Sequence, residues 1–101
     1  MRSMKVYIAG CVTGLPREEA IKNFERGKMI LLKNTHDFVN PIDLVPENSS
    51  PGEAMKLCLP AVIDCDAILM LTDYKFSEGA QVEKQLARYC GKKILYEEDL
   101  R

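Results

Sequence analysis

Asp66-Ala67-Ile68-Leu69-Met70-Leu71-Thr72 is an unbroken apolar run of strand length with a polar residue at each end. A strand with one wet face alternates apolar and polar side chains. One that does not alternate is covered on both faces, as in a parallel sheet clothed by helices. The flanking segments agree. Met4-Lys5-Val6-Tyr7-Ile8-Ala9-Gly10 is a β-rich run ending in glycine, Asp37-Phe38-Val39-Asn40-Pro41 reads as a short strand stopped by proline, and Lys93-Ile94-Leu95-Tyr96 reads as a last strand. Between them lie helical patterns. From Arg17, the residues Ala20, Ile21, Phe24, Leu31 and Leu32, with the stem of Lys28, recur at helical spacing and predict an inward stripe. Asp43 to Gly52 reads as a loop. Glu53 to Ile63 is almost wholly apolar and predicts a helix, although Pro60 inside it can delay, bend or break it. Ser77 opens a further helix ending near Cys90-Gly91. Strands alternating with helices predict a three-layer α/β/α Rossmann-like fold with a parallel sheet of about four strands, in the order 2-1-3-4 of the smaller doubly wound sheets.

A chain of 101 residues is one domain, 1–101, and its 47% hydrophobic and 29% charged composition is that of a folded globular protein. Fourteen Lys and Arg against fifteen Asp and Glu leave a formal charge of -1. No broad attraction to a nucleic-acid polymer or an anionic membrane is encoded, so any anion must be caught locally. No apolar run approaches the roughly 20 residues that span a bilayer, and the first residues lack a signal-peptide layout, so the expected location is cytoplasmic. Cys11, Cys58, Cys65 and Cys90 form no C-x-x-C pair and are accompanied by one histidine, His36. They read as reduced thiols; neither a metal site nor a cofactor is expected. An apolar helix around Met55 to Ile63 has more greasy surface than so small a domain can cover, which points to a homo-oligomer.

In the order 2-1-3-4 the winding reverses between the first and third strands, and the loops leaving their carboxyl ends part to form a crevice. Those loops are Gly10 to Pro16 and Asp73 to Gly79. In the second, Ser77 is suited to cap a helix whose free amides attract a phosphate or carboxylate. Gly79 leaves the backbone approachable, and Glu83, four residues beyond Gly79, lies on the same helix face. A plainer account also stands: a capping serine, a tolerated glycine and a glutamate favoured by the helix dipole. In the first loop, Gly10, Thr13 and Gly14 offer backbone access and a hydroxyl, with Tyr7 close behind in the strand. An ordinary tight turn and a core aromatic explain them equally well. Neither a dinucleotide fingerprint nor a P-loop is present. Tyr74 and Phe76 can stack on a base and Lys75 can meet a phosphate, or all three can be loop packing. His36 reads as a surface residue.

The residues Tyr7-Ile8-Ala9-Gly10, Gly10-x-x-Thr13-Gly14-Leu15-Pro16, Cys65-Asp66-Ala67, Ser77-x-Gly79-Ala80 and Glu83 together resemble the nucleoside 2-deoxyribosyltransferase-like superfamily. Within it they are most similar to a small bacterial and phage family described only as a domain of unknown function. The resemblance covers nearly the whole chain. It implies a flavodoxin-like fold, a small-molecule nucleoside or nucleotide ligand, and cleavage of an N-glycosidic bond by attack of Glu83 on C1′ of a 2-deoxyribosyl group to give a covalent intermediate, with Tyr7 near the sugar, as in a deoxynucleoside 5′-monophosphate N-glycosidase or a nucleoside deoxyribosyltransferase. Gly10, Thr13, Gly14, Asp73, Ser77, Gly79 and Ala80 are the expected substrate-binding residues; the resemblance adds that Ser77, where transferases carry Asp, favours a hydrolase acting on a nucleoside monophosphate. Two departures accompany it. Cys58 stands eight residues before Asp66, where those hydrolases carry an acid, leaving Asp64, Asp73 or a partner subunit to supply the proton; a first-loop arginine is replaced by Thr13. A non-catalytic nucleotide-binding or sensing module and a purely structural oligomer subunit are the alternatives.

Overall fold

The computed structural model describes residues 3–100. Four strands, β1 (Lys5–Ala9), β2 (Asp37–Val39), β3 (Ala67–Met70) and β4 (Lys93–Tyr96), form one parallel sheet in the order β2-β1-β3-β4. Both the alternation and the reversal of winding between β1 and β3 therefore match the sequence reading. The helices are α1 (Arg17–Lys33), α2 (Pro41–Leu44), α3 (Pro51–Asp64), α4 (Glu78–Tyr89) and α5 (Glu97–Leu100). All four residues of β3 are buried because helices cover the sheet on both sides. Tyr7, Ala9, Ile68 and Met70 meet α3 and α4 on one face, while Val6, Ile8, Leu69 and Leu71 meet α1 on the other.

The expected inward stripe of α1 is corrected in part. Ala20, Phe24 and Leu31 are buried as expected, but Ile21 and Leu32 are 41% and 46% exposed, and Gly27 and Ile30 take their place. Gly27 is the reason. A Cβ there would lie 2.9 Å from Leu71 Cδ2 and 3.2 Å from Ile8 Cγ2, so the helix sits against the sheet on its bare side and the neighbouring stripe turns outward. Lys28 is half-buried with its ammonium 5.3 Å from the centre of the Phe38 ring.

Three further elements differ from their sequence reading. Asn40 accepts a hydrogen bond from the Ile42 amide at 3.0 Å and Pro41 occupies the first helical position, so one turn of helix, α2, stands where loop was expected. The third helix starts earlier than Glu53, because Ser50 and Glu53 form a reciprocal capping box. It also runs unbroken through Pro60. Pro60 and Lys56 are both exposed, so the carbonyl that proline leaves without a partner is on the solvent side. The helix buries Cys58 and Val62 and leaves Leu57 and Ile63 exposed.

The short α5 was not anticipated. It is held by Glu97, a fully buried carboxylate that pairs with Arg26 Nε, accepts from Arg26 Nη2 at 3.1 Å and accepts from the Thr72 amide at 3.0 Å. Arg26 also donates to Asn23 Oδ1 at 3.0 Å. Removing one partner of such a pair strands a charge in low dielectric. Because the Arg26 side chain is itself 38% exposed, Arg26→Ala should destabilise the fold by about 3 kcal/mol, the low end for a broken buried pair, measurable as a reduced urea midpoint.

Candidate active site

The crevice between the two carboxyl-end loops is a cavity of about 400 Å³, within the size range of small-molecule sites. Tyr7, Gly10 and Thr13 line it from β1 and its loop, and Ser77, Gly79, Ala80 and Glu83 line it from α4 and its start. Seven of the nine expected site residues thus meet around one space. Gly14 and Asp73 do not line it. Gly14 has φ +89° with no atom near its missing side chain, and so serves the turn itself. Asp73 Oδ1 accepts from the Cys11 amide at 3.1 Å and ties the two loops together. Cys11 Sγ adds contacts to the Thr13 carbonyl at 3.5 Å and the Phe76 carbonyl at 3.9 Å.

Gly10 has a packing role beside its place in the lining. A Cβ there would stand 2.7 Å from Leu71 Cδ1 and 3.1 Å from Asp73 Oδ1, so the missing side chain admits the protein's own loop. At Gly79, a Cβ would come 3.3 Å from the flexible tip of Met55, which itself lines the cavity. Ser77 caps α4, its Oγ accepting from the Ala80 amide at 3.1 Å.

Glu83 is 5% exposed, with its carboxyl turned inward. Tyr7, fully buried in β1, donates its hydroxyl to Glu83 Oε2 at 2.6 Å. The Cys58 thiol of α3 adjoins both groups and is also buried. Loss of water pushes the Glu83 carboxyl from its ordinary 4.5 up to about 7, opposed by the hydrogen bonds from Tyr7 and Cys58. Burial, and then the neighbouring Glu83, raise the Tyr7 hydroxyl far above its usual range, and burial raises the Cys58 thiol. Near neutrality this site holds a carboxyl group poised between its two forms and two weak acids that keep their protons.

Several lining residues were not singled out in the sequence. Arg17, at the start of α1, brings a guanidinium to the cavity. Pro41, Ile42, Val45, Pro46, Asn48 and Ser49 form a third wall, and Ala54 and Met55 join Cys58 on α3. The capping signal at Asn40-Pro41 could have revealed that this stretch is ordered; nothing local says that it folds over the crevice. Phe76 lines the cavity and is 84% exposed. Tyr74 and Lys75 lie outside it: Tyr74 meets the Tyr96 ring at 6.0 Å, and the Lys84 ammonium stands 4.9 Å from the Tyr74 ring centre. Their suggested roles at a base or phosphate are therefore corrected. His36 accepts from the Met4 amide at 3.1 Å, an edge contact beside β2. Asp64 is exposed and paired with Lys5 at 3.2 Å, so neither Asp64 nor Asp73 is presented to the cavity as a proton donor.

The family described as a domain of unknown function, DUF4406, matches residues 4–96. The chain belongs to the DUF4406 family. No curated protein matches it. Among solved structures, this DUF4406 chain is similar to the CMP N-glycosidase BcmB of Clostridium botulinum, with a TM-score of 0.61 and 23% identity, over 91% of this chain and 66% of that one. The chain thus spans just under two thirds of that enzyme, and at this identity the likeness is one of fold. Among the described residues, no helix is long and apolar enough to cross a membrane, and no cluster of His, Cys, Asp and Glu could hold a metal ion. All four cysteines are free.

The buried carboxyl has a consequence for stability. A carboxyl raised in the fold favours folding while protonated. Its contribution is whole below about 4.5 and is lost as pH rises through about 7. At about 1.4 kcal/mol per unit, wild type should lose about 2–3 kcal/mol relative to Glu83→Gln between pH 5 and pH 8, in paired urea titrations. Glutamine keeps an oxygen for Tyr7 but does not ionise.

Proposed function

We propose that this protein cleaves the N-glycosidic bond of a nucleoside 5′-monophosphate, as a hydrolase rather than a transferase, through a covalent sugar ester on Glu83. The observation that carries this reading is the buried Glu83 carboxyl on the cavity wall, fixed by the Tyr7 hydroxyl at 2.6 Å. A carboxylate in a water-poor site can stabilise the positive charge that develops at C1′ and then bond to it, the logic of retaining glycosidases. Tyr7 holds the carboxylate in one orientation, which converts an encounter into a positioned attack. The fold likeness to a CMP N-glycosidase and the motif resemblance support the same class of reaction.

The phosphate is assigned to the start of α4. Ser77 Oγ accepts from Ala80 N, leaving the hydroxyl proton to donate outward, beside the helix's first amides. Arg17 lines the same cavity and can supply the cation that the first loop lacks at Thr13. Gly10, Gly79 and Ala80 leave room for the sugar.

Incubation with nucleosides and nucleoside 5′-monophosphates, with CMP and base-methylated forms included, should release free base detectable by chromatography. In Glu83→Ala, release should fall by at least about 1,000-fold. With the carboxyl at about 7, kcat/KM should rise with pH through neutrality and then level off, since only the anion attacks. Absence of release from every N-glycoside offered, or release indifferent to Glu83, would sink the reading.

Cys58 favours a second reading, a nucleotide-binding module without turnover, because a thiol held neutral by burial replaces a stronger acid beside Glu83. Calorimetric binding with no base release would select it. The exposed Leu57 and Ile63 of α3 further support self-association. Light scattering should give more than one subunit per particle, reduced towards one in Leu57→Glu/Ile63→Glu.

A further inference from the structure

Breaking a C1′–N bond drives an electron pair onto the base nitrogen, and a neutral base accepts that pair only with a proton delivered as the bond parts. Among the described residues lining the cavity, the carboxyl groups are Glu78 and Glu83. Glu83 is the group that would bond to the sugar. Glu78 is exposed in the first turn of α4, next to the Ser77 assigned to the phosphate. The Tyr7 hydroxyl is already donated to Glu83, and Tyr7 and Cys58 are both buried against that carboxyl, which makes each a weaker acid than usual. The facing wall is apolar where Ile42, Val45, Ala54 and Met55 contribute to it. This site is built to attack carbon and poorly built to protonate nitrogen.

We infer that its preferred substrates are nucleotides whose base is already cationic, such as an N-ribosyl pyridinium or an N-alkylated purine 5′-monophosphate, which depart as neutral heterocycles without a proton. The inference rests on the N-glycosidase reading and names its substrate class. The steps balance. The Glu83 carboxylate bonds to C1′ while the C1′–N pair returns to the ring and cancels its positive charge. Water then adds to C1′, the ester oxygen takes its pair back, and one water proton passes to solvent. Cationic nucleotide and water become sugar phosphate, neutral base and a proton. Two carboxyl groups against the one guanidinium of Arg17, among the charged residues described on the cavity wall, also suit a cationic ring.

The full chain is to be assayed with N7-methylguanosine 5′-monophosphate against guanosine 5′-monophosphate, and with nicotinamide mononucleotide against CMP. Each cationic member should exceed its neutral counterpart by about 100-fold or more in kcat/KM, and Glu83→Gln should silence both. Cys58→Asp, which restores a carboxylic acid at the position where the hydrolases this chain resembles carry one, should narrow that gap by raising the rates on the neutral bases by about 100-fold. Equal rates within about threefold in wild type would overturn the inference while leaving the N-glycosidase reading intact; no base from any of the four would overturn both. Should Cys58→Asp fail to fold, the wild-type ratio decides alone.

Discussion

The hydrogen bond from Tyr7 to Glu83 is where the fold and the chemistry meet. Its donor comes from the middle of β1 and its acceptor from the second turn of α4, far apart in sequence, and both lie out of water. A carboxyl in that position is unfavourable when charged, and the molecule tolerates it because two protic neighbours soften the penalty without removing it. A buried, incompletely compensated acid on the wall of a cavity is a recurrent mark of a reactive centre, since a stability-minded sequence would place an apolar side chain there.

Around that bond the structure divides its labour. The α3 and α4 face of the sheet contributes Tyr7, Cys58, Ala80 and Glu83 to the cavity, while on the α1 face Gly27 is drawn against Ile8 and Leu71. The two loops of the crevice are not left to find their own positions. Asp73 and Cys11 bind them to one another, and Gly10 is bare because Leu71 and Asp73 occupy the space its side chain would need. The glycine that looks like an opening for a ligand is also a seat for the protein itself.

Much of this was legible in the residues. The run Ala67 to Leu71 declared a doubly covered strand, and once the winding order followed, topology alone named the two loops of the crevice. Tyr7 and Glu83 were recognisable as candidates, but their contact was not, because a bond between partners 76 residues apart depends on strand register and helix placement. The elements that escaped notice share that character. Ile21 and Leu32 lost their inward place to Gly27, whose fit depends on which side chains the sheet presents. The wall from Pro41 to Pro51 carries ordinary loop residues, and nothing in the sequence sets Arg17 apart from the other charges of α1. Nothing in the sequence around Glu97 marks it as buried; Arg26 and the Thr72 amide enclose it only in the fold.

That last residue reaches further than its position suggests. Thr72 lies just past the end of β3, yet its amide points to a sealed carboxylate, and its neighbour Asp73 anchors the loop at Cys11. A short relay of contacts therefore runs from the outer helix α1, through Arg26 and Glu97, to the tie between the two loops that flank the cavity. In hydrogen–deuterium exchange the Thr72 proton would behave as if it belonged to the central sheet, and loosening of the turn around Glu97 would pass to the segment that joins the two loops.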